Sequence, residues 1–317
     1  MFDDQKKPLT IGISSCLLGQ PVRYDGGHKR SDFCSKTLSE YAQYIPFCPE
    51  MAAGMPAPRP SIRLLKRSHH IIASTRDGHD VSAVIIKAGA QQLDQLDQLT
   101  AYIFCTKSPS CGMSHVPLFD EARNNSNNTG IGLFAQQVMD KYPLLPVEEN
   151  GRLNDMPLRE NFITRIYAYQ RWQTLKSEGL NPKSLIEFHS RYKYQLMASH
   201  PVSYKQLGGL LANLSENFDS KAEQYISQFM TALKKQASRN NHCNVLQHLQ
   251  GYFKKKLSPR QREELTSLIH DYRLGLTSLM APMTILRHYL AEYPDAYLQK
   301  QYYFQPYPAA FKLRLGP

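Results

Sequence analysis

The run Leu9-Thr10-Ile11-Gly12-Ile13-Ser14-Ser15-Cys16-Leu17-Leu18-Gly19 is apolar and β-capable as far as Ser15, then breaks into a cysteine loop. A short run that ends this abruptly reads as a buried strand delivering a loop at its C-terminal edge. The pattern recurs twice. Residues 44–47 (Tyr-Ile-Pro-Phe) lead into Cys48-Pro49-Glu50, and residues 101–104 (Ala-Tyr-Ile-Phe) lead into Cys105 and then Ser108-Pro109-Ser110-Cys111-Gly112. Between the last two, residues 81–99 read as a helix with Leu93, Leu96 and Leu99 every third position. A second helix starts at Thr129 and runs to about residue 141, and residues 144–147 suit a last strand. Strands alternating with helices predict an α/β N-terminal domain, three-layer with a mostly parallel sheet, over residues 1–150. In such sheets ligands sit beyond the carboxyl ends of the strands, where all three cysteine loops fall.

Beyond residue 156 the punctuation changes. Helical periodicity covers residues 157–178, 184–198, 204–214, 220–239, 242–257, 259–277 and 283–293, with no convincing strand. Asn181-Pro182, Ser258-Pro259 and Ala281-Pro282 place proline near a first turn, where its missing N–H costs nothing. The expectation is an all-α C-terminal domain over residues 156–317, joined through residues 149–154. Its tail, residues 302–308, reads as an extended aromatic and proline segment.

At 317 residues with 42% hydrophobic content, the chain can build two cored domains. It contains no apolar stretch of the ~18–20 residues that a membrane span needs. The start, Met1-Phe2-Asp3-Asp4-Gln5-Lys6-Lys7-Pro8, has no signal-peptide core, so a cytoplasmic protein with no membrane partner is expected. The six cysteines then argue for ligand or catalytic roles rather than a disulfide framework. Cys34 and Cys243 read as ordinary thiols, and Cys105 as a buried strand residue or a spare ligand.

The net charge of +11 is confined to one half. Residues 1–150 hold 15 Lys plus Arg against 15 Asp plus Glu, whereas residues 151–317 hold 23 against 12. A neutral half with the cysteine loops and a basic half without them suggest that chemistry and polyanion binding are divided between two domains. A basic half that merely improves solubility is the alternative explanation of the same imbalance.

Three thiolates meeting in space can hold an iron-sulfur cluster or a zinc ion and leave one metal position open. The sequence has no Cys-x-x-Cys knuckle of the kind that structural zinc uses. Glu50, two residues from Cys48, suits a general acid or base beside a metal, or equally a surface or salt-bridge role. Ser108 and Ser110 are sufficiently explained as turn formers. The segment Tyr24-Asp25-Gly26-Gly27-His28-Lys29-Arg30 can wrap a ligand with N–H groups while offering Asp25, His28 and Lys29, and Arg59 suits an anionic group.

Taken as a set, Ser14-Ser15-Cys16-Leu17-Leu18-Gly19-Gln20-Pro21-Val22-Arg23-Tyr24-Asp25-Gly26, then Cys48-Pro49-Glu50 with Gly54 and Arg59, then Lys107-Ser108-Pro109-Ser110-Cys111-Gly112, resemble the thiouracil desulfidase family. The second half, with residues 188–194, 244–253 and 286–290, looks like the helical domain of unknown function often fused to it. That pairing is similar to the desulfidases that remove the sulfur of 4-thiouridine in tRNA. The resemblance implies a [4Fe-4S] cluster with three cysteine ligands, Cys16, Cys48 and Cys111, and one open iron. It puts the catalytic acidic residue on Glu50 and the catalytic serine on Ser108.

Arg23, Tyr24, Asp25, His28, Lys29, Arg59 and Ser110 are then the substrate-binding candidates. For tRNA the candidates are Arg191, Lys193, Lys205, Lys254, Lys255, Lys256, Arg260, Arg262, Arg273 and Arg287, with Tyr192, His248 and Tyr252 for stacking. The expected reaction is desulfurisation of 4-thiouridine to uridine and sulfide with no net redox change and no obligatory protein partner. Two alternatives stand beside it: the same chemistry on free thiouracil or thiouridine nucleotides, and a non-catalytic RNA-binding protein with a structural metal.

Overall fold

The computed structural model describes residues 8–67, 70–94, 96–120, 126–214 and 216–315, which divide into two compact units at Asp155/Met156. In the first unit, β1 (Leu9–Ser14), β2 (Ala42–Phe47), β5 (Ala101–Phe104) and β8 (Val147–Glu149) form a sheet ordered β2-β1-β5-β8 with every pairing parallel. Its central strands β1 and β5 are buried almost throughout, as strands covered on both faces must be. At Gly12 a Cβ would lie 2.3 Å from the Tyr102 ring, so the aromatic stack of Tyr102, Phe104 and Phe134 requires glycine there.

A second sheet has no counterpart in the sequence reading. It consists of β3 (Ile62–Arg67), β4 (His70–Thr75), β6 (Val116–Asp120) and β7 (Ser126–Gly130), ordered β4-β3-β6-β7 with only β3–β6 parallel. Charged and polar residues interrupt each of these runs, and Pro117 splits β6, so no apolar stretch announces them. The helix expected over residues 81–99 stops earlier, as α2 (Ser82–Leu93). Leu96 and Leu99 still reach the core, through two successive backbone turns that happen to keep a spacing of three. A single helical turn, α1 (Pro49–Ala52), follows β2, and α3 (Leu133–Lys141) precedes β8.

The second unit is helical, with α4 (Met156–Ser177), α5 (Pro182–Ser199), α6 (Pro201–Leu210), α7 (Phe218–Leu233), α8 (Arg239–Tyr252), α9 (Pro259–Leu274), α10 (Met280–Glu292) and α11 (Ala296–Gln299). Asn181 with Ser184, and Ser258 with Gln261, form reciprocal capping boxes at the prolines expected there. The third start differs, because α10 begins at Met280 and takes Pro282 inside its first turn. One core gathers Leu246, Leu249, Leu265, Met283 and Leu286; another is aromatic, with Trp172, Phe188, Tyr192, Tyr225 and Phe229 in ring contact. The tail is not extended. Residues 302–307 turn back and bury Tyr302, Tyr303, Phe304 and Tyr307. Among the described residues no helix is long and apolar enough to cross a membrane.

Candidate functional site

Each cysteine loop leaves the carboxyl end of a parallel strand. Cys16 lies in the turn Ser15–Leu18 after β1, closed by Gly19 at φ +92°, where a left-handed backbone favours glycine. Cys48 caps α1 directly after β2, and Cys105 follows β5 at once. Cys111 sits in a turn organised by Ser108, whose Oγ accepts from the N–H groups of Cys111 at 3.0 Å and Ser110 at 3.3 Å. All four thiols line one cavity of about 340 Å³, and all are free.

The walls of this cavity are braced from behind. Ser14 Oγ accepts from the Cys105 N–H at 3.1 Å. Glu149 accepts from Thr106 Oγ at 2.8 Å through one carboxylate oxygen and from the Met113 N–H at 2.9 Å through the other, so it holds both ends of the loop that carries Cys111. Asn150 accepts from the Thr106 N–H at 3.1 Å. As a sequence these two residues read as a linker; the signal that could have found them is the Glu148-Glu149 pair directly after the apolar run 144–147, and both carboxylates are buried. At Gly132 a Cβ would lie 2.5 Å from the Ser110 carbonyl carbon, so the helix that follows can press against the cysteine loop.

Glu50 is 8% exposed. The Cys48 thiol donates to its Oε2 at 3.2 Å, and Arg59 Nη2 lies 3.9 Å from the same oxygen. Burial, reinforced by the Glu50 charge, pushes the Cys48 thiol up to about 12, and burial raises Cys111 well above the ordinary thiol value. The neighbouring Cys16, with Lys29 and Arg23, holds the Cys105 thiol below its ordinary value, while Cys105 and burial drive Cys16 far up.

Of the candidates on the first unit, Arg23, Tyr24, Lys29, Arg59 and Ser108 line the cavity with the four cysteines and Glu50. Asp25, His28 and Ser110 do not. Asp25 is exposed and closes its own turn, accepting from the Gly27 N–H at 3.0 Å; His28 is exposed and accepts from the Arg30 N–H at 3.3 Å. Ser110 is fully buried off the cavity, and its Oγ has no hydrogen-bond partner among the described residues.

In the helical unit Tyr192 cannot stack on a base. It is 0% exposed inside the aromatic core, with Arg171 donating to its hydroxyl at 3.0 Å. Arg287 is bound inward to the Phe304 carbonyl, Arg191 pairs with Glu187, and Lys193 is half-buried with Nζ 5.2 Å from the Tyr194 ring. Lys205, His248, Lys254, Lys255, Lys256, Arg260 and Arg273 are exposed, and Tyr252 is exposed with its ring stacked on Tyr297.

No three His, Cys, Asp or Glu side chains among the described residues converge as ligands of a single metal ion. One tetrahedral zinc with Zn–S near 2.3 Å needs thiolates roughly 3.8 Å apart. Four soft sulfur donors lining one cavity of this size are instead the donor chemistry of an iron-sulfur cluster.

Comparison with known proteins matches two separate stretches of the chain. A family model described as 2-thiouracil desulfurase matches residues 11–150, and one described as a protein of unknown function, DUF1722, matches residues 193–308. The uncharacterized protein YbgA of Escherichia coli (strain K12) is 36% identical over 157 residues, which span 49% of this chain and 93% of that protein. The uncharacterized protein YbbK of Bacillus subtilis (strain 168) is 27% identical over 133 residues, 39% of this chain and 86% of that one. A solved structure described as the [4Fe-4S]-dependent thiouracil desulfidase TudS is 28% identical and covers 46% of this chain and 93% of its own, with a TM-score of 0.38.

Proposed function

The chain belongs to the 2-thiouracil desulfurase family and carries a DUF1722 domain behind that part, and from this premise we propose that it removes the sulfur of 4-thiouridine in tRNA, giving uridine and sulfide. The observation that carries the reading is the convergence of the cysteine loops with the buried Glu50 on one cavity. Cys16, Cys48 and Cys111 would hold a [4Fe-4S] cluster there. When bound, such a cluster supplies a soft Lewis acid that takes a thiocarbonyl sulfur and makes the adjacent ring carbon more electrophilic.

The remaining steps belong to the side chains. Glu50 loses its thiol donor once Cys48 is a thiolate, which frees Oε2 to take the proton of an attacking water, while Arg59 keeps the carboxylate in place. Ser108 has both acceptor positions used by backbone N–H groups, so its hydroxyl is left to donate toward a substrate in the cavity. Lys29, Arg23 and Tyr24 line the wall, two cations and one ring suited to an electron-rich base next to a phosphate. Water supplies the oxygen and sulfide leaves, with no electrons transferred.

A base in tRNA must leave its stack to enter this cavity, and the α/β half is electrically neutral. The basic helical half supplies the affinity for phosphate. A second reading, desulfurisation of a free thiolated base, is favoured by the family's own description. Anaerobic sulfide release from bulk thiolated tRNA against free thiouracil, with Cys48→Ala as control, decides between them. Turnover of tRNA at low substrate concentration is expected; turnover of the free base alone overturns the RNA reading.

A further inference from the structure

Cys105 is the thiol that a three-cysteine ligand set leaves over, yet its position is not that of a packing residue. Its backbone is fixed by Ser14, and the next residue is fixed by Glu149 and Asn150. This directs the buried Cys105 thiol onto the cavity wall that it shares with Cys16, Cys48 and Cys111, where its Sγ donates to the Thr106 carbonyl at 3.9 Å. Two cations attend it. Lys29 Nζ donates to the Thr106 carbonyl at 3.5 Å, and Arg23 lies on the same wall.

We propose that Cys105 is an exchangeable fourth ligand, whose thiolate holds the iron that the other three cysteines leave open and yields it to the thiocarbonyl sulfur of the substrate. This rests on the reading that Cys16, Cys48 and Cys111 hold the cluster. The exchange is not redox: one iron–sulfur bond to Cys105 breaks as one to the substrate sulfur forms. The electron pair stays on the released Cys105 thiolate, which faces Lys29 and Arg23. When sulfide departs, Cys105 returns, so the iron is not left to water or dioxygen between turnovers. A ligand that must leave first also lowers the apparent affinity for substrate by the fraction of molecules in the open state.

The full chain is reconstituted anaerobically with ⁵⁷Fe as wild type, Cys105→Ala and Cys105→Val, and Mössbauer spectra are taken without substrate. All three are expected to hold about four irons per chain. The wild type should show one set of thiolate-ligated subsites, and both variants a three-to-one pattern. Thiouracil titrated against the cluster absorbance should bind the variants about tenfold tighter, the figure for a thiolate in place in nine of ten molecules. A three-to-one pattern already in the wild type, or equal thiouracil affinity, overturns the proposal. Loss of iron from both folded variants also overturns it, by making Cys105 a permanent ligand. A wild type that assembles no cluster overturns the cluster reading itself, and this proposal with it.

Discussion

Glu50 illustrates how much one residue's role depends on its neighbours. Its sequence position two after a cysteine is equally compatible with a solvated surface, and only burial against Cys48 and Arg59 removes that option. If Glu50 moves a proton while the cysteines hold the cluster, Glu50→Gln keeps the shape and loses the base. Absorbance near 400 nm should then be unchanged, while sulfide release falls at least about 10²-fold. Tyr192 teaches the converse. An aromatic beside Arg191 and Lys193 resembles a stacking platform in sequence, but a helix sends adjacent residues to different faces, and this one faces the core.

At the scale of elements, the parallel strands and the long helices were legible, whereas the second sheet was not. Strands β1 and β5 are buried on both sides and therefore read as continuous apolar runs. Strands β3 and β6 bury short stretches and pair residues far apart in the chain, Leu64 with Leu118 and Lys66 with Asp120, which leaves no local signal. The close seat of α3 against the cysteine turn depends on Gly132. In Gly132→Ala the new methyl meets backbone, which cannot rotate away. Destabilisation of about 1–3 kcal/mol is expected, read as a lower thermal unfolding midpoint together with weaker iron retention, because the displaced backbone carries Cys111. A full iron complement with an unchanged midpoint would show that the turn yields.

For the whole molecule, the uneven charge has a measurable consequence. Lys254, Lys255 and Lys256 are exposed in the turn that follows α8, with no carboxylate partner among the described ion pairs. Replacing all three by Gln should weaken tRNA binding and lower the slope of log affinity against log salt by about 2 to 3, while turnover of free thiouracil stays unchanged. An unaltered salt slope would assign phosphate contact to other cations.

By itself the sequence determined the order of the parallel strands and their loops, the division into a neutral α/β half and a basic helical half, and the thiols that belong to one edge of one sheet. Those features are carried by local periodicity and by the rule that parallel strands present their loops together. Only the tertiary structure decided that Cys105 joins the other three thiols, that Glu149 and Asn150 brace the loop between them, and that Asp25, His28 and Ser110 stand away from the cavity. The physical reason is the same in each case. Which side of a turn a side chain occupies is fixed by hydrogen bonds to residues far along the chain, and no spacing within a motif records them.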